Sequence, residues 1–175
     1  ISSGSIERPL VFGNNDTPGV MLSSAAKEYL KVYGVLVGKN PLVFTNNDSG
    51  YETAIEFKKN GINPIILDSR VNPQSEIIDE AIDLGIKIKF SHVVVAAQGY
   101  KKVSSADIAE ISDNKKQLGK IEKIKCDCIC VSGFWTPTIH LASQSGNKTK
   151  FKEEIDAFVP GASKQNETTL GAANG

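Results

Sequence analysis

PLVFTNNDSGYETAI, residues 41–55, reads as a short apolar strand, a tight polar turn and the opening turns of a helix. Leu42, Val43 and Phe44 are too few for a helix and too apolar for an exposed edge, which suits the central strand of a parallel sheet. Beyond the turn, Ser49 and Glu52 have the spacing of a capping box, Asp48 is the other candidate N-cap, and Tyr51, Ala54, Ile55 and Lys58 share a helical face. A helix is therefore expected from Asp48 or Ser49 to Gly61. The next apolar run, PIILD at 64–68, closes on a carboxylate and completes a β-α-β unit.

Asp68 stands where a dinucleotide-binding Rossmann unit places the acid that accepts hydrogen bonds from an adenosine ribose. The glycines of that unit are mostly missing. Where G-x-G-x-x-G would sit, the chain has Thr45, Asn46, Asn47, Asp48, Ser49 and Gly50, so only the third glycine, which lets helix and strand pack closely, is present. Asparagine tolerates a left-handed backbone, which would preserve the turn. Approach of a phosphate is hindered, because Asn47 adds a side chain and Asp48 puts a negative charge at the positive end of the helix. The elbow signals the fold more strongly than the ligand. Arg70, two residues after Asp68, suits a 2′-phosphate while the aspartate opposes one, which leaves NAD and NADP both open.

Outward from the elbow, the pattern continues in both directions. Upstream, SSAAKEYLKVYG reads as a helix with Ala26, Tyr29, Leu30 and Tyr33 on one face and Gly34 at its end, approached through Pro18 and Gly19. LVFGNNDTPG and LVFTNNDSG are similar phrases, but one leads to Pro-Gly and the other to a helix, so the similarity is local rather than an architectural repeat. Downstream, a helix is expected over 74–84 with Ile77, Ile78, Ala81 and Leu84 inward, then a half-exposed strand at 86–90. Right-handed crossovers make this β-α-β-α-β run a parallel sheet. Short strands at 93–97, 106–111 and 120–125, with turns at Gly99-Tyr100 and Asp113-Asn114, read as an antiparallel meander. An apolar strand at 128–132 precedes Gly133. FKEEIDAF at 151–158 reads as a short amphipathic turn or helix, followed by a polar tail.

The expected fold class is α/β: a Rossmann-like parallel sheet with flanking helices and an antiparallel β-meander. At 175 residues the chain fits one domain, long enough to bury roughly 70 % of its unfolded surface. Its expected parts are a lead-in loop and helix at 1–40, the β-α-β-α-β run at 41–90, the meander at 91–126, and a closing strand and return segment at 127–175. Twenty Lys and Arg balance 20 Asp and Glu, which argues against nucleic-acid or membrane-surface partners held by bulk charge. No apolar run approaches the ~20 residues of a membrane span and no charged-then-apolar leader is seen. The first residue is Ile1, and the chain is expected to be a fragment of a larger polypeptide.

Candidate chemistry is sparse. Cys126, Cys128 and Cys130 alternate in CDCICVSG, which would put all three on one strand face. Same-face neighbours are then ~6.6 Å apart, whereas thiolates sharing a zinc sit roughly 3.8 Å from one another, so no metal site is expected and small buried thiols in a reducing cytoplasm are. His92 and His140 sit in no nucleophile or zinc signature, no carboxylate pair stands out, and no catalytic residue is assigned. The lysines at 101, 102, 115, 116, 120, 123 and 125 suit the wet face of a two-sided sheet. GFWTP at 133–137 has two readings: a glycine at a strand end that admits a ligand, or a turn with a buried Trp.

Four phrases carry a resemblance: RPLVFGNNDTPGVM at 8–21, VFTNNDSGYETA at 43–54, VSGFWTPTIHLASQSG at 131–146, and AFVPG at 157–161 with GAANG at 171–175. In this order and spacing they resemble the middle region of the alpha (large) subunit of heterotetrameric sarcosine oxidase. The layout also looks like the second nucleotide-binding domain of the two-domain flavoprotein (pyridine nucleotide-disulfide) reductases. The resemblance implies that Ser3 and Gly4 mark the hand-over from a first domain, that Gly133 and Pro137 match a closing motif, and that 171–175 is where the first domain resumes. It implies NAD in the full subunit, with the strong glycine fingerprint upstream of this chain. FAD and FMN are implied in the parent complex, mainly with the beta subunit, and a tetrahydrofolate-binding domain lies downstream. The other alpha-subunit domains and the beta, gamma and delta subunits are the implied partners, and the implied reaction is oxidative demethylation of sarcosine to glycine in the cytoplasm. The reductases' cysteine pair is absent, so their dithiol chemistry does not transfer, and related opine oxidases and hydrogen cyanide synthases share similar phrases. Candidate cofactor-binding residues are Ser3, Gly4, Thr45, Asn46, Asn47, Ser49, Gly50, Asp68, Ser132 and Gly133. The chain alone is expected to be inactive, with an independent NAD module or a non-binding scaffold as the alternatives.

Overall fold

The computed structural model describes residues 1–112 and 117–175. The expected turn at Asp113-Asn114 and the lysines at 115 and 116 lie outside the described residues. The chain divides into two compact units, one of Pro9–Gly133 and one of Ile1–Arg8 with Phe134–Gly175.

In order along the chain, the elements are β1 (Ser5–Glu7), β2 (Val20–Leu22), α1 (Ser23–Tyr33), β3 (Pro41–Thr45), α2 (Ser49–Lys59), β4 (Ile65–Asp68), α3 (Glu76–Asp83) and β5 (Lys87–Phe90). They continue with β6 (His92–Gln98), β7 (Ser105–Glu110), β8 (Glu122–Lys125), β9 (Cys128–Ser132), β10 (Trp135–Pro137), α4 (His140–Gln144), β11 (Thr149–Lys152) and β12 (Ala157–Pro160).

The Pro9–Gly133 unit is built on a five-stranded sheet in the order β2-β9-β3-β4-β5, parallel at every pairing. Both faces are covered, which is why the strands read as continuous apolar runs rather than as alternations. Val43, Cys128 and Cys130 pack toward Ala26 and Leu30 of α1, Ala54 and Phe57 of α2 and Ile78 of α3. Their neighbours Leu42, Phe44, Ile129 and Val131 point the other way, onto Val94, Ala106 and Ile108. Those residues belong to the antiparallel ribbon β6-β7-β8. The architecture is therefore helices, parallel sheet and meander, the expected α/β class. Edge strand β2 replaces the loop expected before α1 and pairs with β9 at Val20↔Ile129.

Cys126 departs from the one-face expectation. β9 begins at Cys128, and Asp127 turns aside to accept the Lys39 and Asn40 N–H groups at 2.9 and 2.8 Å. That interruption sends Cys126 to the meander side, while Cys128 and Cys130 remain on the helix side with their sulfurs 3.7 Å apart. All three cysteines are buried, and none forms a disulfide. On the meander, the described lysines at 101, 102, 120, 123 and 125 are exposed.

The second unit contains two antiparallel ribbons, β1-β10 and β11-β12. The segment expected to be a short amphipathic turn or helix is a hairpin instead: Phe151 faces Phe158 across it, with ring centroids 5.3 Å apart. A 3₁₀ turn at Glu153–Ile155 and a left-handed Asp156 (φ 46°) make the reversal. Apolar residues four and three apart satisfy a helical stripe, yet the same residues pair across this short hairpin. Among the described residues no helix is long and apolar enough to cross a membrane.

Burial, with Cys128 and Asp127 adding to it, pushes the Cys126 thiol from 9.0 up to about 12. Folding keeps this proton bound, so the associated stability is complete below pH 9 and is lost as pH rises toward the folded value. The decline approaches ~1.4 kcal/mol per pH unit within that window. Urea unfolding across this alkaline range is expected to show the loss, and Cys126→Ala to make it shallower.

Candidate functional site

The carboxyl ends of β3 and β9 are the topological switch point of the sheet, where ligands of open α/β folds bind. Here the two strand ends are joined directly. Asn46 N–H donates to the Ser132 carbonyl at 3.3 Å. Asn47 Nδ2 donates to the same carbonyl at 3.1 Å and to Ser132 Oγ at 3.2 Å. The Asn47 side chain thus fills the crevice between the strands, and Asn47 is 7 % exposed.

The turn itself is held by Thr45, whose Oγ1 donates to the Asn47 carbonyl at 2.7 Å and accepts the Asn47 N–H at 3.1 Å. No residue from 45 to 50 takes a positive φ, so the asparagines are not used for left-handed backbone as expected; Asn14, in the other NND phrase, is, at φ 57°. Asp48 is the N-cap of α2 but makes no side-chain cap bond. Asn47 Oδ1 accepts the N–H of Ser49, the first residue of α2, at 2.9 Å. Gly50 serves close packing: a Cβ there would lie 2.6 Å from Thr45 Cβ.

Asp68, at the end of β4, is wholly buried. Its Oδ1 accepts the Arg70 backbone N–H at 2.9 Å and Arg70 Nε at 3.1 Å. Its Oδ2 accepts the Tyr51 hydroxyl at 2.8 Å, Arg70 Nη2 at 2.8 Å and Nε at 3.1 Å. The remaining guanidinium nitrogen, Nη1, stands 2.8 Å from Asp48 Oδ1. A carboxylate offers about four lone-pair sites, and these are taken. Burial, then the bond to Asp68, drives the Tyr51 phenol far above its ordinary range, so it stays a donor. Burial works against the Arg70 charge, but Asp68 and then Asp48 more than offset it and raise its pKa.

Of the expected site residues, Thr45, Asn46, Asn47, Ser49, Gly50, Asp68, Ser132 and Gly133 fall in the Pro9–Gly133 unit, whereas Ser3 and Gly4 belong to the other. Ser3 Oγ donates to the Thr138 carbonyl at 2.7 Å, and Gly4 has φ 72°. Sequence reading placed Tyr51 only on a packing face and did not join Asp48 and Arg70 to Asp68. The D-x-R spacing is the signal that was available, since an Asp at a strand end commonly bonds the backbone two residues on. At GFWTP, Trp135 is half-buried in β10 rather than buried in a turn. Phe134 takes φ 87° with the Arg8 guanidinium 6.0 Å over its ring. His92 donates from Nδ1 to the Phe90 carbonyl at 2.6 Å, and His140 is exposed at the start of α4.

No protein-family model matches the chain. Curated relatives do. The chain is 34 % identical over 177 residues to the sarcosine oxidase subunit alpha of Corynebacterium sp. (strain P-1), covering 100 % of itself and 18 % of that relative. It is 36 % identical over 175 residues to the subunit of the same name from Rhizobium meliloti (strain 1021), covering 99 % of itself and 16 % of that relative. From end to end, the chain is similar to sarcosine oxidase subunit alpha. It spans less than a fifth of the length of these alpha subunits. Among solved structures, Lactococcus lactis thioredoxin reductase superposes with a TM-score of 0.71 at 15 % identity, covering 99 % of this chain and 56 % of that one. The T. acidophilum thioredoxin reductase gives 0.69 at 14 % identity, covering 99 % and 59 %. The fold is thus shared with part of the thioredoxin reductases, two-domain flavoprotein reductases, and is carried on a sequence similar to the sarcosine oxidase alpha subunit.

The Gly50–Thr45 approach leaves no room for a methyl group. Gly50→Ala is expected to cost about 2 kcal/mol by forcing α2 away from β3, read as a lowered urea midpoint with an unchanged slope.

Proposed function

We propose that this chain is one domain of a longer sarcosine-oxidase-type alpha subunit, an oxidoreductase whose parent complex oxidatively demethylates sarcosine to glycine. The observation that carries the reading is similarity along the whole chain to alpha subunits of which it spans only 18 % and 16 %. In this reading NAD, FAD, FMN and tetrahydrofolate belong to other parts of the complex. The partners are the remaining alpha-subunit domains and the beta, gamma and delta subunits, and the complex works in the cytoplasm. The domain contributes architecture rather than chemistry, which agrees with the absence of a nucleophile and base pair in its sequence.

An antibody raised against the chain tests this in the source cells. It is expected to capture a polypeptide several times larger, together with sarcosine-dependent peroxide formation, while the purified chain forms none. Peroxide formation by the purified chain would overturn the non-catalytic role. Capture of a short polypeptide without the activity would overturn the assignment to an alpha subunit.

A further inference from the structure

We infer that the strand-helix elbow of this domain is not a dinucleotide site and that Arg70 is its internal ligand, occupying by side chain the place that a bound nucleotide takes in this architecture. The inference deepens the reading above, on which it rests only for NAD being the cofactor at issue.

A dinucleotide in a Rossmann unit makes two demands at this place. Its pyrophosphate needs free N–H groups and close backbone approach at the helix N-terminus, and its ribose needs an acceptor at the end of the second strand. Neither is met. The crevice between β3 and β9 is filled by the Asn47 side chain, and the Ser49 N–H at the start of α2 is already bonded to Asn47 Oδ1. Asp68 has no exposed surface. Displacing Arg70 to admit a ribose would strip a buried carboxylate of its cation, a loss that two neutral hydroxyls do not repay.

Charge gives the same answer. Asp48 and Asp68 with Arg70 leave one net negative charge at the mouth of the elbow, and a pyrophosphate would bring two more. Arg70 instead pairs its charge with both carboxylates at once and lies 6.0 Å over the Tyr51 ring. It ties the amino end of α2 to the carboxyl end of β4, the two elements that a nucleotide would bridge.

The test pairs nucleotide titration with thermal unfolding of the whole chain. Calorimetric titration with NAD+, and with NADP+ in parallel, is expected to give no saturable heat up to millimolar ligand, in the natural chain and in Arg70→Ala alike. Arg70→Ala and Asp68→Asn are expected to lower the unfolding midpoint by roughly 5–10 °C, and millimolar NAD+ is not expected to restore it. Saturable micromolar binding to the natural chain would overturn the inference. Binding that appears only in Arg70→Ala would also overturn it, because Arg70 would then be a latch over a working site. So would a midpoint unchanged in Asp68→Asn. If Arg70→Ala does not fold, Tyr51→Phe, which keeps the ion pair, is expected to lower the midpoint by a few degrees with no response to nucleotide. None of these outcomes bears on the size or activity of the captured polypeptide, so the two readings fail separately.

Discussion

A buried carboxylate must be paid for by partners of opposite charge or by donors, and Asp68 meets that constraint entirely from within the chain. One aspartate at the end of β4 fixes the turn that follows it, through the Arg70 backbone N–H, and the first turn of α2, through the Tyr51 hydroxyl. The guanidinium extends the link to Asp48, where the positive end of the helix also favours an anion. The carbonyl of Thr45 accepts the Ser69 N–H at 3.0 Å, so the loops after β3 and β4 are bonded to each other as well. The elbow holds its shape because every element around it is cross-linked by short polar contacts.

Only the packing half of the dinucleotide fingerprint survives in these residues. Gly50 keeps the close approach of helix to strand. Thr45, Asn46 and Asn47, where the other glycines and their neighbours would be, hold the turn with side-chain bonds rather than with left-handed backbone. A glycine-rich loop keeps its N–H groups available, whereas this loop spends its polar groups on itself. The same fold therefore places a satisfied core where related architectures keep an open cradle, and fold alone does not carry the ligand.

Much of this was legible in the sequence. β3, α2 and β4 announce themselves because a strand buried on both faces reads as an unbroken apolar run, and Gly61 and Gly85 punctuate the helices. The first reversal of the meander, between β6 and β7, was legible from Gly99-Tyr100. β2 was not, because three residues carry too little pattern to separate a strand from the approach to a helix. The β11-β12 hairpin was hidden by the spacing of Phe151, Ile155 and Phe158, which a helix satisfies equally well. Cys126 was misplaced because alternation is informative only while the strand lasts, and Asp127 ends it. At the site, the position of Asp68 followed from the β-α-β spacing, but its partners depended on where a flexible arginine ends up after a turn, which no periodicity encodes.

The strand order β2-β9-β3 has a consequence for how the sheet is made. β2 and β3 are neighbours in sequence but leave a gap one strand wide, and the strand that fills it is the last of its unit to be synthesised. Until CICVS arrives, the inner edges of β2 and β3 present unpaired backbone groups beside apolar side chains. Completion of the sheet therefore waits on the most distant pairing in the unit, the kind of non-local closure that slows folding. A nascent chain that stalls within the meander would expose a sticky, half-built sheet, so this unit is most vulnerable to misassociation late in its synthesis.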